Sequence, residues 1–416
     1  MNNPKKVIMR APLLTQSGYG EQSRFALRSL RSRPDLFEIY ILPIQWGATS
    51  WSREYDEERL WIDQRIEATV GYMQQGGKFD MSLQVTIPNE FEKMAPINIG
   101  YTAGIETSKM APEWIEKINL MDRVMTISSH SQRVMQNTEY EAVNNATGEE
   151  FVYKADAGRI KYINYPAKTH EELPDIDLEL PTKFNFLCAS QFGLRKNIEN
   201  TIKWFIEEFR EDEDVGLVVK TNLAKNCYMD RIATQTKIRE LINSCGDKKC
   251  RVYLLHGDMT DKEMHSLYKH EKINAFVSLA HGEGFGLTIF EAAYSGLPIV
   301  ATGWSGQLDF LVDEKGKDKF YNVSFDLSQV QEAAVWKGVV TADSMWAFPR
   351  DYSAKKKMRE VYENYDNKIV VDGINERFAA EKMYAKFVEI FTSPVPSTQN
   401  VDEWLEELSN ELVVNE

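Results

Sequence analysis

The feature that most restricts how this chain can fold is the stretch Ala280 to Asp309, AHGEGFGLTIFEAAYSGLPIVATGWSGQLD. It continues a short apolar run, Ala275-Phe276-Val277-Ser278-Leu279, whose length and composition fit a buried strand. Gly282, Gly284 and Gly286 follow as a loop in which main-chain N–H groups can be approached closely. Thr288 to Tyr294 has helix-forming composition and stops at Gly296 and Pro298. A second strand, Ile299 to Thr302, then runs into Gly303-Trp304-Ser305-Gly306. Strand, glycine loop and helix N-terminus in that order turn free amides and the positive end of a helix dipole toward one point, which suits a phosphate.

Two acids sharpen this. Glu283 lies in the loop beside whatever the amides hold. Glu291 falls about one turn into the helix, where a carboxylate can accept both hydroxyls of a vicinal diol such as a ribose. Either glutamate alone would read as a solvated surface acid.

The string HGEGFGLTIFEAAYSGLPIVATGWSG resembles the nucleotide-sugar signature of retaining GT-B glycosyltransferases with a Glu-x7-Glu pattern, here Glu283 and Glu291. The resemblance implies an α/β fold, GT-B, with two Rossmann-like doubly wound parallel-sheet domains facing a cleft. It implies an enzyme that moves a sugar from a nucleoside-diphosphate sugar to a hydroxyl with retention of configuration. It also implies that Glu291 binds the ribose, that Glu283 lies by the donor sugar, and that the amides of Gly284, Phe285, Gly286 and Leu287 meet diphosphate and sugar.

The length of 416 residues predicts two domains. Apolar runs at Phe37 to Ile44, Phe79 to Ile87, Ile97 to Ala103, Arg123 to Ser128 and Ile160 to Tyr165 form one alternating series. A second comprises Phe184 to Ala189, Val215 to Thr221, Val252 to His256, Ala275 to Leu279 and Ile299 to Thr302. Between them Lys168 to Pro181, KTHEELPDIDLELP, mixes charge and proline as a linker does. The expected division is an acceptor-side domain at 1–168, a linker at 169–181, a nucleotide-sugar domain at 182–392 and a C-terminal helix at 393–416 that crosses back to the first domain. That helix carries an apolar stripe, Val401, Trp404, Leu405, Leu408 and Leu412. Residues 137–159 read as a hairpin-like insertion.

In the first half, Lys5 to Pro12 predicts a strand, Gln16 to Gly20 a loop and Glu21 to Leu30 a helix. By resemblance, Gly18, Tyr19 and Gly20 sit at the inter-domain cleft on the acceptor side. Arg24, Arg28 and Arg31 share one helix face and make this the conspicuous basic segment of an acidic chain. Ile99 to Ser108 ends a strand in small residues, where binding loops lie in such sheets. Many members of the resembled family have a histidine near this point. This chain has Glu106, which we place on the acceptor side.

After the first strand of the second half, Arg195 and Lys196 offer the cations that a departing diphosphate requires. The resembled family shows Gly-Arg-Leu, three residues, then Lys; Lys196 matches the lysine, while Gln191 stands at the arginine and Arg195 can compensate. Lys196, Arg195 and Glu283 are therefore the catalytic candidates, and Lys220, at the next strand end, joins the donor-binding set. A donor phosphate oxygen can take the acceptor proton, so no protein general base is needed. The histidines show no ligand spacing, and neither a metal nor an obligatory cofactor is expected beyond the nucleoside-diphosphate sugar.

Composition restricts partners. No apolar run approaches the roughly 20 residues of a membrane span, and MNNPKKVIMR lacks a signal-peptide core, so no stable membrane insertion and a cytoplasmic location are expected. The net charge of −14 opposes whole-surface attraction to nucleic acid. Over its length, however, the chain is similar to glycosyltransferases of tailed-phage genomes, some of which glycosylate hydroxymethylated bases in DNA. The location would then be the host cytoplasm, and Arg24, Arg28 and Arg31 would be the candidate contact to an anionic acceptor. A glycan, lipid or small-molecule acceptor, a nucleotide-sugar epimerase or hydrolase, and a non-catalytic sugar-nucleotide binder stay open beside it.

Overall fold

A computed structural model describes residues 3–47, 49–52, 55–144 and 147–394. The apolar stripe expected at Val401 to Leu412 lies outside the described residues. The first half contains the strands β1 (Lys5–Ala11), β2 (Phe37–Pro43), β3 (Met81–Val85), β4 (Ile97–Tyr101), β5 (Arg123–Thr126), β6 (Glu139–Val143), β7 (Glu150–Lys154) and β8 (Ile160–Tyr162). Six of them form a parallel sheet in the order β2-β1-β3-β4-β5-β8. The other two, β6 and β7, pair antiparallel as the expected hairpin, with Glu139 opposite Lys154.

The second half supplies β9 (Phe184–Ala189), β10 (Val215–Lys220), β11 (Arg251–Leu255), β12 (Ala275–Ser278), β13 (Ile299–Thr302) and β14 (Tyr321–Val323). These make a second parallel sheet, β11-β10-β9-β12-β13-β14. β9 is buried along its whole length, as a central strand covered by helices on both faces must be. A further antiparallel pair, β15 (Phe325–Gln329) and β16 (Met345–Pro349), follows the second sheet and was not anticipated from the sequence.

The helices are α1 (Gly18–Arg31), α2 (Glu57–Gln74), α3 (Pro112–Leu120), α4 (Ser129–Asn137), α5 (Ile198–Phe209), α6 (Tyr228–Ser244), α7 (Asp261–Lys269), α8 (Leu287–Tyr294), α9 (Leu308–Leu311), α10 (Asp351–Glu363), α11 (Ile374–Arg377) and α12 (Ala380–Thr392). The chain from Ile374 to Thr392 is not one helix, because Phe378 leaves helical geometry between α11 and α12. The first helix also differs from expectation. Ser17 accepts a hydrogen bond from Gly20 N at 2.9 Å, so α1 starts at Gly18 and the predicted loop residues Gly18, Tyr19 and Gly20 form its first turn.

Several contacts join the halves. α12 lies on α1, with Phe387 edge-on to Phe25 at 5.5 Å and Phe391 edge-on to Phe37 at 5.5 Å. Buried Arg123 at the start of β5 donates to the carbonyls of Ile390 (2.7 Å), Ser393 (3.0 Å) and Pro394 (2.8 Å), satisfying the open end of α12. Near the cleft, Asp309 of α9 accepts from Ser129 N (2.8 Å) and Ser129 Oγ at the N-terminus of α4, where helix dipole and charge reinforce one another. No described helix is long and apolar enough to cross a membrane.

Arg123→Met should free the C-terminal helix, since it strips several charge-assisted bonds worth about 3 kcal/mol together. Hydrogen exchange over 380–394 should accelerate roughly 100-fold, as that energy dictates. Unchanged protection would contradict the role given to Arg123.

Candidate active site

β12 delivers the chain into residues 281–286, all of them buried, and Gly286 caps α8 with φ 91. Two of the glycines are required by close approach of the other half. A Cβ on Gly282 would stand 2.1 Å from the carbonyl oxygen of Glu106, and one on Gly284 would stand 2.5 Å from that of Ala103. The loop after β4 therefore lies directly on the loop after β12, and the C-terminal ends of both sheets meet there. Tyr19 braces the first of these loops: its hydroxyl bonds Thr102 Oγ1 at 2.8 Å and accepts from Ala103 N at 3.1 Å.

The amides of this loop are divided in use. Glu283 N donates to Ser305 Oγ at 2.9 Å, and the N–H of Gly306 returns to Glu283 O at 2.9 Å, which ties the two small-residue loops together. The N–H groups of Gly284, Phe285, Gly286 and Leu287 find no acceptor among the described residues. Buried donors such as those of residues 284–286 are rarely left so, and with the first N–H of α8 they make a set that suits an anion. The ring of Phe285 turns away into an aromatic core with Phe290 (5.1 Å), Phe310 (5.0 Å) and Tyr165 (5.2 Å).

Beside these amides lies a compact ion cluster. Glu283, 6% exposed, receives Lys196 Nζ at 2.5 Å and Arg195 Nη1 at 3.0 Å. Arg195 Nη1 also donates to Gly282 O at 2.8 Å, and its Nη2 stands 3.4 Å from Glu106 Oε1 across the cleft. Burial opposes charge on Glu283, yet Lys196 and Arg195 hold its carboxyl below the usual range, so it is ionised. All three catalytic candidates and Glu106 are thus brought together. Gln191 is turned elsewhere, donating to Leu223 O at 2.9 Å.

Glu291 meets different company. Burial pushes its carboxyl up to about 7, Lys168 pulls the other way, and Tyr268 Oη lies 3.1 Å from its Oε2. Two predicted groups stand apart. Lys220 donates to Gly257 O at 2.6 Å, away from the Glu283 cluster. The basic face is not free for a ligand. Arg24 donates to the carbonyls of Leu13 and Thr15 at 3.0 Å, Arg28 holds Glu58 bidentately at 2.7 and 2.8 Å, and Arg31 lies over Trp61 at 4.2 Å.

Sequence reasoning missed three things here. His130, buried and held neutral by that burial with its pKa down to about 4, sits edge-on to Trp304 at 4.9 Å, across the junction of the halves. The strand β16 covers His281, which stacks on Trp346 at 5.0 Å and shares paired bonds with Ala347. Lys168, read as linker, stands within the charge set of Glu291. None of these carries a local motif. Among the described residues, no group of three or more His, Cys, Asp or Glu gathers as a metal site.

Two parallel-sheet α/β units meeting at their strand C-termini define the GT-B architecture. Residues 170–320 match the family model described as Glycosyl transferases group 1. The chain is 24% identical over 223 residues to a sucrose synthase of Melioribacter roseus, a match covering 48% of this chain and 26% of that protein. The chain thus spans about a quarter of the length of this curated relative. Among solved structures, Anabaena HepE in complex with UDP-glucose is similar with TM-score 0.58 and 13% identity, over 94% of this chain and 100% of that one. The sucrose-phosphate synthase of Thermosynechococcus elongatus is similar with TM-score 0.59 and 12% identity, over 93% and 98%.

Gly282→Ala should force the two loops apart at a strain of about 2 kcal/mol, because the added methyl meets backbone. Faster hydrogen exchange at both 103–107 and 281–286 is the expected signature; equal protection in mutant and parent would disprove the contact.

Proposed function

We propose that this protein is a glycosyltransferase that takes a sugar from a nucleoside-diphosphate sugar and leaves it on a hydroxyl acceptor with retained anomeric configuration. The observation that carries the reading is the set of four unpaired amides, Gly284 to Leu287, in the buried loop and first turn of α8 beside Lys196 and Arg195. Such a cradle suits a diphosphate. The uridine nucleotides in the related HepE structures support a uridine donor.

Lys196 gives one of its three ammonium hydrogens to Glu283, which leaves donors for phosphate oxygens while fixing the side chain. The leaving diphosphate gains charge as the glycosidic bond breaks, and the amides, Lys196 and Arg195 meet that charge. Retention agrees with a front-side transfer in which a phosphate oxygen takes the acceptor proton, since His281 is already engaged with Ala347 O and stacked under Trp346. Glu106, which faces Arg195 from the first unit, is the acceptor-side acid of this reading. A DNA acceptor would need free cations near the cleft. Arg24, Arg28 and Arg31 have internal partners instead, which favours an uncharged hydroxyl acceptor.

A panel of nucleotide sugars, assayed for sugar release and for transfer to glycans, small alcohols and hydroxymethylcytosine-containing DNA, tests the reading. Transfer from a uridine donor is expected, and hydrolysis or epimerisation with no acceptor dependence would overturn it. Lys196→Ala should lower kcat by about 100-fold with a smaller change in donor KM, as loss of transition-state charge stabilisation requires. A defect confined to KM would contradict that role.

Glu291 supplies a pH test. Only the ionised carboxylate accepts two ribose hydroxyls, so UDP affinity should rise as pH climbs through about 7. Because the folded-state pKa is raised, the same group favours the fold at low pH, and that contribution fades over the same rise. Glu291→Gln should weaken UDP by about 2 kcal/mol above pH 8, the worth of hydrogen bonds to a charged acceptor, and abolish the pH step. Calorimetry showing the step intact would exclude Glu291 from the ribose site.

A further inference from the structure

Lys168 ends the first half of the chain, just after Ala167, whose N–H donates to Phe378 O at 2.8 Å. Its side chain is only 16% exposed and reaches two acids from opposite units: Glu21 of α1 at 2.9 Å and Asp261 of α7 at 2.7 Å. Glu21 is further held by Arg24 at 3.2 Å and Arg28 at 3.6 Å. Glu291 feels the same ammonium at longer range, without a direct ion pair to it. One ammonium therefore joins acids of the first and second units within electrostatic reach of Glu291.

We infer that Lys168 is a positioning residue for nucleotide capture: by bridging Glu21 and Asp261 it fixes a cation next to Glu291 and so makes the closed arrangement of the two units a condition for an ionised ribose acceptor. This inference rests on the reading of Glu291 as the ribose ligand and names what controls it. Bridging geometry is the ground for it. An isolated lysine beside one carboxylate would be an ordinary ion pair, whereas this one loses a partner whenever the units separate.

The electrostatics agree in sign. Burial works against a charge on Lys168, yet Glu21, Asp261 and Glu291 hold its ammonium above the usual lysine range. Although burial opposes it, Glu21 is brought down to about 2 by Lys168, Arg24 and Arg28, so it stays charged across the working range. The groups facing Glu291 are Lys168, Glu21 with its two arginines, Asp261 and Tyr268 of α7, and Tyr294 on α8 itself. His265, also on α7 and 5.6 Å from Tyr294, is held down to about 4 by burial and then by Lys269 and His170. Its partner His170, 5.3 Å away, is also lowered, mainly by burial. Neither adds a charge near neutrality.

The roles of cation and acids predict opposite effects. UDP affinity is measured by calorimetry from pH 5.5 to 9 for the full chain, with Glu291→Gln as the reference that cancels titration of the nucleotide itself. Lys168→Met is expected to move the midpoint of the pH step upward by about a unit and so to weaken UDP about threefold near pH 7.5. Lys168→Arg should restore the parental profile. Asp261→Asn should move the midpoint downward, since it removes a like charge and releases Lys168 toward Glu291. A structural role alone would weaken binding equally at every pH. Unchanged midpoints in both Lys168→Met and Asp261→Asn, or shifts of the same sign, overturn the inference. Should Lys168→Met fail to fold, the direction in Asp261→Asn decides. If Glu291→Gln itself leaves UDP affinity unaltered, the ribose assignment fails first, which separates that outcome from failure of the bridge.

Discussion

The pairing of buried Glu283 with Arg195 and Lys196 is the interaction on which the rest of the site depends. A carboxylate removed from water loses several kcal/mol of hydration, and only close cations with hydrogen bonds make good that loss. The dependence runs both ways. Arg195 and Lys196 are neighbours in sequence and would repel one another on a strand end without an acid between them. Glu283 can lie between them because its own loop is held by Ser305 and Gly306, so the loop after β13 fixes charges that the loops after β9 and β12 present. Glu106 adds a second acid from the first unit, and the set is balanced at two cations and two carboxylates.

A balanced cluster cannot draw in a diphosphate by net charge. The favourable terms are short-ranged: unused hydrogens on Lys196, the open amides of Gly284 to Leu287, and the positive end of α8. All act over one or two bond lengths. That makes the close approach of the two halves more than packing. With the carbonyl oxygens of Ala103 and Glu106 against the glycine faces, water is kept from one side of the loop and the local dielectric falls.

The parts of this arrangement that sequence could reveal are those carried by contiguous residues. Buried parallel strands such as β9 and β12 are near-continuous apolar runs, so both sheets were legible. The glycine loop, Glu283 and Lys196, which the structure gathers together, likewise sit on local strings. Helix α2 was not legible, since Ile62 and Thr69 alone are buried on it and no stripe marks its face. Hairpin β15-β16 was missed because its pairing partner comes after a long loop and β15 is mostly exposed. The face of Arg24, Arg28 and Arg31 was visible, but Glu58 and Trp61, which occupy two of its members, lie one helix further along. Lys168 looked like linker because the acids it joins are far from it and from each other in the chain.

A chain of net charge −14 that binds an anion must solve a problem of range as well as of contact. At physiological salt, exposed charges are screened within about 8 Å, so most of the surplus acid is invisible to a ligand already in the cleft. At the junction of the two halves the buried acids have named cations: Glu283 has Lys196 and Arg195, and Glu21 has Lys168, Arg24 and Arg28. Half-buried Glu291 differs from both. It shares Lys168 with two other acids and makes no ion pair of its own, which is why burial raises its pKa while that of Glu283 falls. An acid left short of a cation is poised to gain from hydroxyl donors, and a ribose brings two. Under the proposed function, the shortage of cations that raises the Glu291 pKa is what a bound ribose would offset.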